Sequence, residues 1–353
     1  MSLPDTRAAG RSERQARVRA LTRTFVVVVL VILAAGYGLG VMVSADRNGN
    51  ESRRLEAVAR LKQQQLQTWL TERRADARSL GQDRSMAELV TRVQGGDRVA
   101  RQWLQDRLVS VGQAYDYATV TLVNSRGEPL VGLPALPDAF AARLRALWQD
   151  GHPGEQSVWA DLASGQGGLA FIAPVAGAGD VAAVLLADPS RSLFPTLQTW
   201  PSPSVSAETL LARRDGVDVE FLNSVRHRQV ETGTFRMPLD WTPVPLVMEG
   251  MLHPERMGTV LLGVDYRGVP SAGVVLPVAG TDWVLVTKMD RDEWQADARR
   301  AVSWIALGCL AAVMVVGAGA LLRYQRQELT HSRRVFRAQA EQLRGLRLLD
   351  AIA

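Results

Sequence analysis

Eight side chains between Trp103 and Arg191 have the types that capture a small charged metabolite: Trp103, Arg107, Tyr115, Tyr117, Trp159, Asp161, Asp188 and Arg191. The guanidinium of Arg107 or Arg191 can hold a carboxylate through two parallel hydrogen bonds, and the carboxylate of Asp161 or Asp188 can receive an ammonium group. The aromatic rings can wall off whatever is apolar in the ligand. Each residue also has a purely structural use. Strands bury Trp159 and Tyr117 types for packing, and Asp188, directly before Pro189, is placed to cap a helix.

Bond-breaking chemistry has few candidates. The four histidines, His152, His227, His253 and His331, share no metal-ligand spacing, and the single cysteine, Cys309, lies within an apolar stretch. The chain has no phosphate loop of the G-x-x-x-x-G-K-[ST] type, no G-x-S-x-G elbow and no H-E-x-x-H zinc motif. His331, in LTHSRRVF, is not followed by a nucleotide-binding segment. The expectation is a chain with no catalytic residue, no metal and no cofactor, whose chemistry is recognition.

The elements that would position these residues begin at the membrane. Residues Phe25 to Val43 and Ala301 to Leu322 carry no charge, and a helix of about 20 such residues crosses the ~30 Å hydrocarbon layer. Both spans are expected to be transmembrane, the first as an uncleaved anchor and not a signal peptide, because its apolar run exceeds the usual length. Arg7, Arg11, Arg14, Arg17, Arg19 and Arg23 precede the first span, and Arg323, Arg326, Arg333, Arg334 and Arg337 follow the second. By the positive-inside rule both termini are cytoplasmic and the middle of the chain is outside. This placement explains a sequence pI near 9.8 on a net charge of only +5 without nucleic acid as a partner. Glycines Gly36 and Gly40 in the first span, and Gly308 with Ala312 in the second, would let helices approach closely in a homodimer.

The chain has 353 residues with 47 % hydrophobic content, enough for about two folding units. From Asp46 to Val93 an apolar stripe of Leu55, Val58, Leu61, Leu66 and Leu70 predicts a long helix. Strand patterns follow, as hairpins around Asn124 to Gly127 and at Asp215-Gly216, with a helical piece near Phe140 to Gln149. APVAGAGDVAAVLL, from Ala173, is echoed by LPVAGTDWVLV, from Leu276, and a hairpin precedes each copy. A repeated α+β module accounts for turn residues recurring at fixed places. The three prolines of PTLQTWPSPSVSAE mark the seam between the copies.

With ETLLARRDGVDVEFLNSVRHR (Glu208 to Arg228) and GVDYRGVPSAGVVLPVAGTDWVLVTKMDRDEW (Gly263 to Trp294), this order resembles the double Cache sensor region of bacterial transmembrane receptors, as found in PAS-containing sensor histidine kinases and diguanylate cyclases. The resemblance implies an α+β fold: two tandem PAS-like modules on a long N-terminal helix, flanked by two transmembrane helices. It divides the chain into a cytoplasmic tail (1–24), first span (25–44), long helix with membrane-distal module (45–200), membrane-proximal module (201–300), second span (301–322) and cytoplasmic signalling helix (323–353). It implies an inner-membrane receptor with a periplasmic sensor domain, a small-molecule ligand held by the distal module, and a homodimer. Output would pass to a histidine kinase of a two-component system, or alternatively to a diguanylate cyclase, in a domain beyond the sequence given. A membrane-tethered partner-binding protein is the other reading. The Tyr, Arg-x-Trp-Tyr, Asp pattern of some amino-acid-binding members is missing apart from an Asp at position 188. Amino acids therefore stand beside organic acids and other small metabolites as ligand classes.

Overall fold

The computed structural model describes the backbone of residues 6–131, 145–146, 156–161, 167–228 and 235–350, and side chains over 19–131, 145–146, 168–228 and 235–326. It divides into two compact units, Asn50–Trp294 and the pairing of Met1–Gly49 with Gln295–Ala353.

In the larger unit three helices precede the first strand: α1 (Thr6–Gly81), α2 (Arg84–Gln94) and α3 (Arg98–Ala114). The long helix expected from Asp46 to Val93 is interrupted where Gly81 meets residues 174–176. A side chain at Gly81 would meet the Pro174 carbonyl oxygen at 2.5 Å, and the Gly81 carbonyl instead accepts the Ala176 amide at 2.8 Å. Asp83 then starts α2 by accepting the Ser85 amide at 2.9 Å, and Asp97 starts α3 by accepting those of Val99 and Ala100.

Strands β1 (Thr119–Val123), β2 (Pro129–Val131), β3 (Gln156–Asp161), β4 (Gly167–Pro174) and β5 (Ala182–Ala187) form an antiparallel sheet in the order β2-β1-β5-β4-β3. Helix α4 (Leu193–Gln198) leads to the second sheet. There β6 (Glu208–Asp215), β7 (Asp218–Phe221), β8 (Arg236–Pro238), β9 (Val260–Val264), β10 (Pro270–Pro277) and β11 (Trp283–Asp290) take the order β8-β7-β6-β11-β10-β9. Apart from the edge strand β8, this repeats the first order. Helix α5 (Leu246–Leu252) interrupts the strands, and α6 (Arg291–Trp294) closes the unit.

The two Pro-Val-Ala-Gly phrases are the β4–β5 and β10–β11 turns, and both glycines have positive φ, +83° at Gly177 and +72° at Gly280. That backbone region disfavours any side chain with a Cβ, which is why the phrase recurs. The expected helix near Phe140 to Gln149 lies outside the described residues except for positions 145–146.

One face of the first sheet, with Leu122, Phe171 and Leu185, packs against Leu66, Leu70, Met86, Leu104 and Leu108 of the three helices. Leu211, Trp283 and Leu285 of the second sheet join this core. The opposite face of the second sheet builds its own core from Leu210, Phe221, Met237, Val275 and Val286, with Leu246, Val247 and Met248 of α5. A third small cluster joins Leu55 and Ala59 of α1 to Ala272, Val274 and Leu276 of β10 and to Trp294.

The smaller unit contains the apolar parts of α1 and of α7 (Ala296–Asp350). These are two helices long and apolar enough to cross a membrane. Gly36 packs on Cys309 of the same chain, so closely that a Cβ there would collide with the sulfur. This close approach is made within the protomer, where sequence pattern alone suggested contact between protomers. An apolar groove of about 910 Å³ runs between the helices past Gly36, Gly40 and Leu310.

Candidate ligand-binding site

Four of the eight residues singled out in the sequence meet at one corner of the first sheet. Tyr117, buried at the entry to β1, donates its hydroxyl to Asp76 of α1 at 2.6 Å. Burial first, and then this hydrogen bond to a carboxylate, push the Tyr117 phenol well above its ordinary pKa. The Arg73 guanidinium sits 5.3 Å from the Tyr117 ring and donates to the Tyr115 carbonyl at 3.3 Å. The Tyr115 ring itself is 53 % exposed. Beside it Arg191 donates to Asp116 at 2.8 Å and lies 3.4 Å from Asp188.

Asp188 accepts the Ser190 amide and hydroxyl at 2.9 and 2.6 Å. It therefore shapes the turn from β5 into α4, as an Asx turn does. The remaining residues lie elsewhere. Arg107 is ion-paired to Asp83, and Trp103 points away from the core with 64 % of its surface exposed. Trp159 and Asp161 lie on β3, in register with Leu169 and Gly167, and their side chains are outside the described set.

The sheet face turned away from the helices has a different character. It is made by Thr119, Thr121, Ala170, Ile172, Val184 and Leu186, all buried, all uncharged and mostly small. Strand alternation puts these six on one side and Leu122, Phe171 and Leu185 on the other. Continued one residue past β5, the same alternation assigns Asp188 to the side of these six. The 24 positions from 132 to 155 that follow β2 lie outside the described side chains, apart from 145 and 146.

Sequence reasoning missed a second polar constellation, in the other sheet. Lys288 of β11 and Asp265 pair at 2.8 Å with side chains 1 % and 2 % exposed. Lys288 also lies 3.3 Å from Glu208 of β6, and Tyr266 donates to Glu208 at 3.1 Å. Arg267 bridges Asp265 at 2.6 Å and Asp290 at 2.5 Å. Burial by itself would raise the Asp265 pKa; Lys288 and Arg267 outweigh it and hold the carboxyl below its ordinary value. The cavity beside Lys288 and Tyr266 measures about 10 Å³, at most one water's worth of space. Among the described residues the core on this side is filled by the protein's own side chains.

No family model and no curated protein matches the chain. Among solved structures, the sensory domain of the Campylobacter jejuni chemoreceptor Tlp3 with isoleucine bound superposes with a TM-score of 0.52 at 10 % identity, over 72 % of this chain and 98 % of that one. The same domain in complex with 4-methylisoleucine gives 0.50 at 10 % identity, over 70 % and 94 %. The sensor domain of the V. cholerae histidine kinase DctB gives 0.41 at 13 % identity, over 67 % and 99 %. The chain shares with the Tlp3 sensory domain a long N-terminal helix carrying curled antiparallel sheets, the fold of the PAS-like Cache sensor domains.

Proposed function

We propose that the protein is a membrane-bound receptor that senses a small extracytoplasmic molecule with its first sheet and passes the signal inward. The observation that carries this reading is the pairing of two features in one chain. A Cache-type fold occupies Asn50–Trp294, and the helices that bound it in sequence, α1 and α7, are each apolar enough to span a bilayer. The domain boundaries follow the same scheme: a tail over 1–24, spans over 25–44 and 301–322, a distal module over 45–200, a proximal one over 201–300 and a signalling helix over 323–353. The repeated strand order of the two sheets supports two tandem PAS-like modules.

The asymmetry between the sheets supports ligand capture in the first. Its outer face carries small uncharged side chains and leads to Asp188, whereas the outer face of the second sheet is covered by α5 and carries the Lys288 network. A ligand shifts a receptor only through its different affinity for two states, so the two states of this receptor have to hold the ligand differently. In an inner-membrane homodimer, the helix over 323–353 would bias a histidine kinase, with a diguanylate cyclase as the other output. Tlp3 was crystallised with isoleucine, and amino acids are accordingly the first ligand class to try, with organic acids second.

Thermal-shift measurement of the full chain in detergent against the amino acids and a set of carboxylic acids tests the reading. A rise in midpoint with at least one compound, lost in Asp188→Ala, is expected. Stabilisation by none of them would overturn direct sensing of these classes.

A further inference from the structure

Residues 199–207, between α4 and β6, are fastened at one end to α1, which contains the first apolar span, and at the other to α6, the short helix that precedes α7. At one end Lys62 of α1, only 3 % exposed, donates to the carbonyls of Thr196 and Thr199 at 2.6 and 2.5 Å. These belong to the last turn of α4 and the residue after it, where helix carbonyls lack partners. At the other end Glu293 of α6 accepts the Ser204 hydroxyl at 2.8 Å, the Val205 and Ser206 amides at 3.2 and 2.8 Å, and the Ser206 hydroxyl. The Ser206 hydroxyl in turn accepts the Asp290 amide at 3.0 Å, tying β11 into the same knot.

Between the two ties the segment is stiff. Pro201 and Pro203 fix two backbone torsions, and Trp200 packs against the small cluster that holds Leu55 and Ala59 of α1 together with Trp294 of α6. The upstream end is stiff as well. Asp188 is bound into the turn that opens α4, and Leu193, Phe194 and Leu197 of α4 are buried in the main core. A displacement at Asp188 thus has a continuous, packed route to Lys62 and to Glu293.

We propose that residues 199–207 act as a strap coupling the first sheet to α1 and to α6, the helix just before α7, with Lys62 and Glu293 as its two fastening residues. This use rests on the sensory reading above, but the coupling is a property of the unliganded chain and can be measured without any ligand. Energetic coupling between two ends is reciprocal: whatever release of one does to the other, the converse release must do in return.

The test is residue-resolved amide hydrogen exchange on the full chain in lipid nanodiscs, with no ligand added, for Glu293→Ala and Lys62→Met. Loss of several charge-assisted bonds in Glu293→Ala is expected to speed exchange of the Val205 and Ser206 amides by about tenfold or more. The strap further requires faster exchange at the Thr199 amide, at the Lys62 end. Conversely, Lys62→Met, which keeps an apolar stem of similar length, should speed exchange at Ser206. Where Lys62→Met does not fold, Ser206→Ala and Glu293→Ala are compared at Thr199 in its place. Faster exchange confined to the end that was altered overturns the strap. A chain that is stabilised by an amino acid yet shows only such local effects keeps its sensory function and loses this mechanism; a chain with reciprocal effects and no ligand response keeps the strap.

Discussion

Lys288 Nζ stands 2.8 Å from Asp265 Oδ2 in the interior of the second sheet, and both side chains are almost fully buried. A buried ammonium is tolerated only when its charge is met at close range, and here Glu208 at 3.3 Å shares the task with Asp265. Replacing Lys288 by Met leaves buried Glu208 without its cation and Asp265 with Arg267 alone. This substitution should destabilise the chain by roughly 3 kcal/mol or more, read as a lower denaturant midpoint. The triple change Glu208→Gln, Asp265→Asn, Lys288→Met should recover part of the loss, because no unpaired charge is left.

Acid should weaken the same region. Asp265 is held below its ordinary value of 3.8, burial being outweighed by Lys288 and Arg267. Glu293 is held below 4.5, burial being outweighed by the serine hydroxyls and amides of residues 204–206. A depressed folded-state pKa means that the unfolded chain binds more protons, so stability rises with pH across this window. The contribution is fully present above about pH 5, and it is lost as pH falls through 4.5 and 3.8 towards the lower folded values. Denaturant midpoints taken between pH 7 and pH 3 should follow this curve, and Glu293→Gln should flatten it.

Gly250 on α5 touches Val275, and an added Cβ would lie 2.5 to 2.9 Å from three of that side chain's carbons. Gly250→Ala should therefore overpack the second core, lowering stability by about 1–3 kcal/mol in denaturant titrations. Loss of helix-breaking glycine would by itself favour α5, so a net gain in stability would show that Val275 can move aside.

At the first sheet, Arg107 and Asp188 should behave differently although both carry anchor chemistry. Arg107 is engaged by Asp83, and Arg107→Ala is expected to leave ligand-induced thermal shifts unchanged, with only a small loss of stability typical of an exposed pair. Asp188→Ala should abolish the shift. Equal effects from the two would place the ligand nearer α3 than the outer sheet face.

Gly36 and Cys309 form a close contact between the two apolar helices. Gly36→Leu should force them apart, and faster maleimide labelling of Cys309 in detergent would report it. Unchanged labelling would mean that the helices meet along another face.

Much of this architecture was legible one-dimensionally because its causes are local. Uncharged runs of membrane length announce themselves by composition, as Phe25 to Val43 does. The hairpin turns do so through glycine: Gly127, Gly177, Gly216 and Gly280 all have positive φ, which few other residues adopt without strain. Even the repeat of strand order across the two sheets was foreshadowed by the recurring Pro-Val-Ala-Gly. In the second hairpin Asp215 and Asp218 pair, leaving Gly216 and Val217 as the turn, one residue later than the Asp-Gly dipeptide suggests.

Which polar residues meet was decided by the tertiary structure. Glu208, Asp265 and Lys288 lie on different strands or turns, and their pairing follows from sheet order, which no short window of sequence contains. Arg107 read as a free anchor because Asp83, its partner, sits 24 residues upstream in another helix start. Lys62 has its acceptor at the end of α4, 134 residues away, where only folding brings it. Hydropathy and backbone torsion are properties of neighbouring residues and survive in the sequence. The partner of a buried charge is a property of packing, and it exists only once the chain has closed around it.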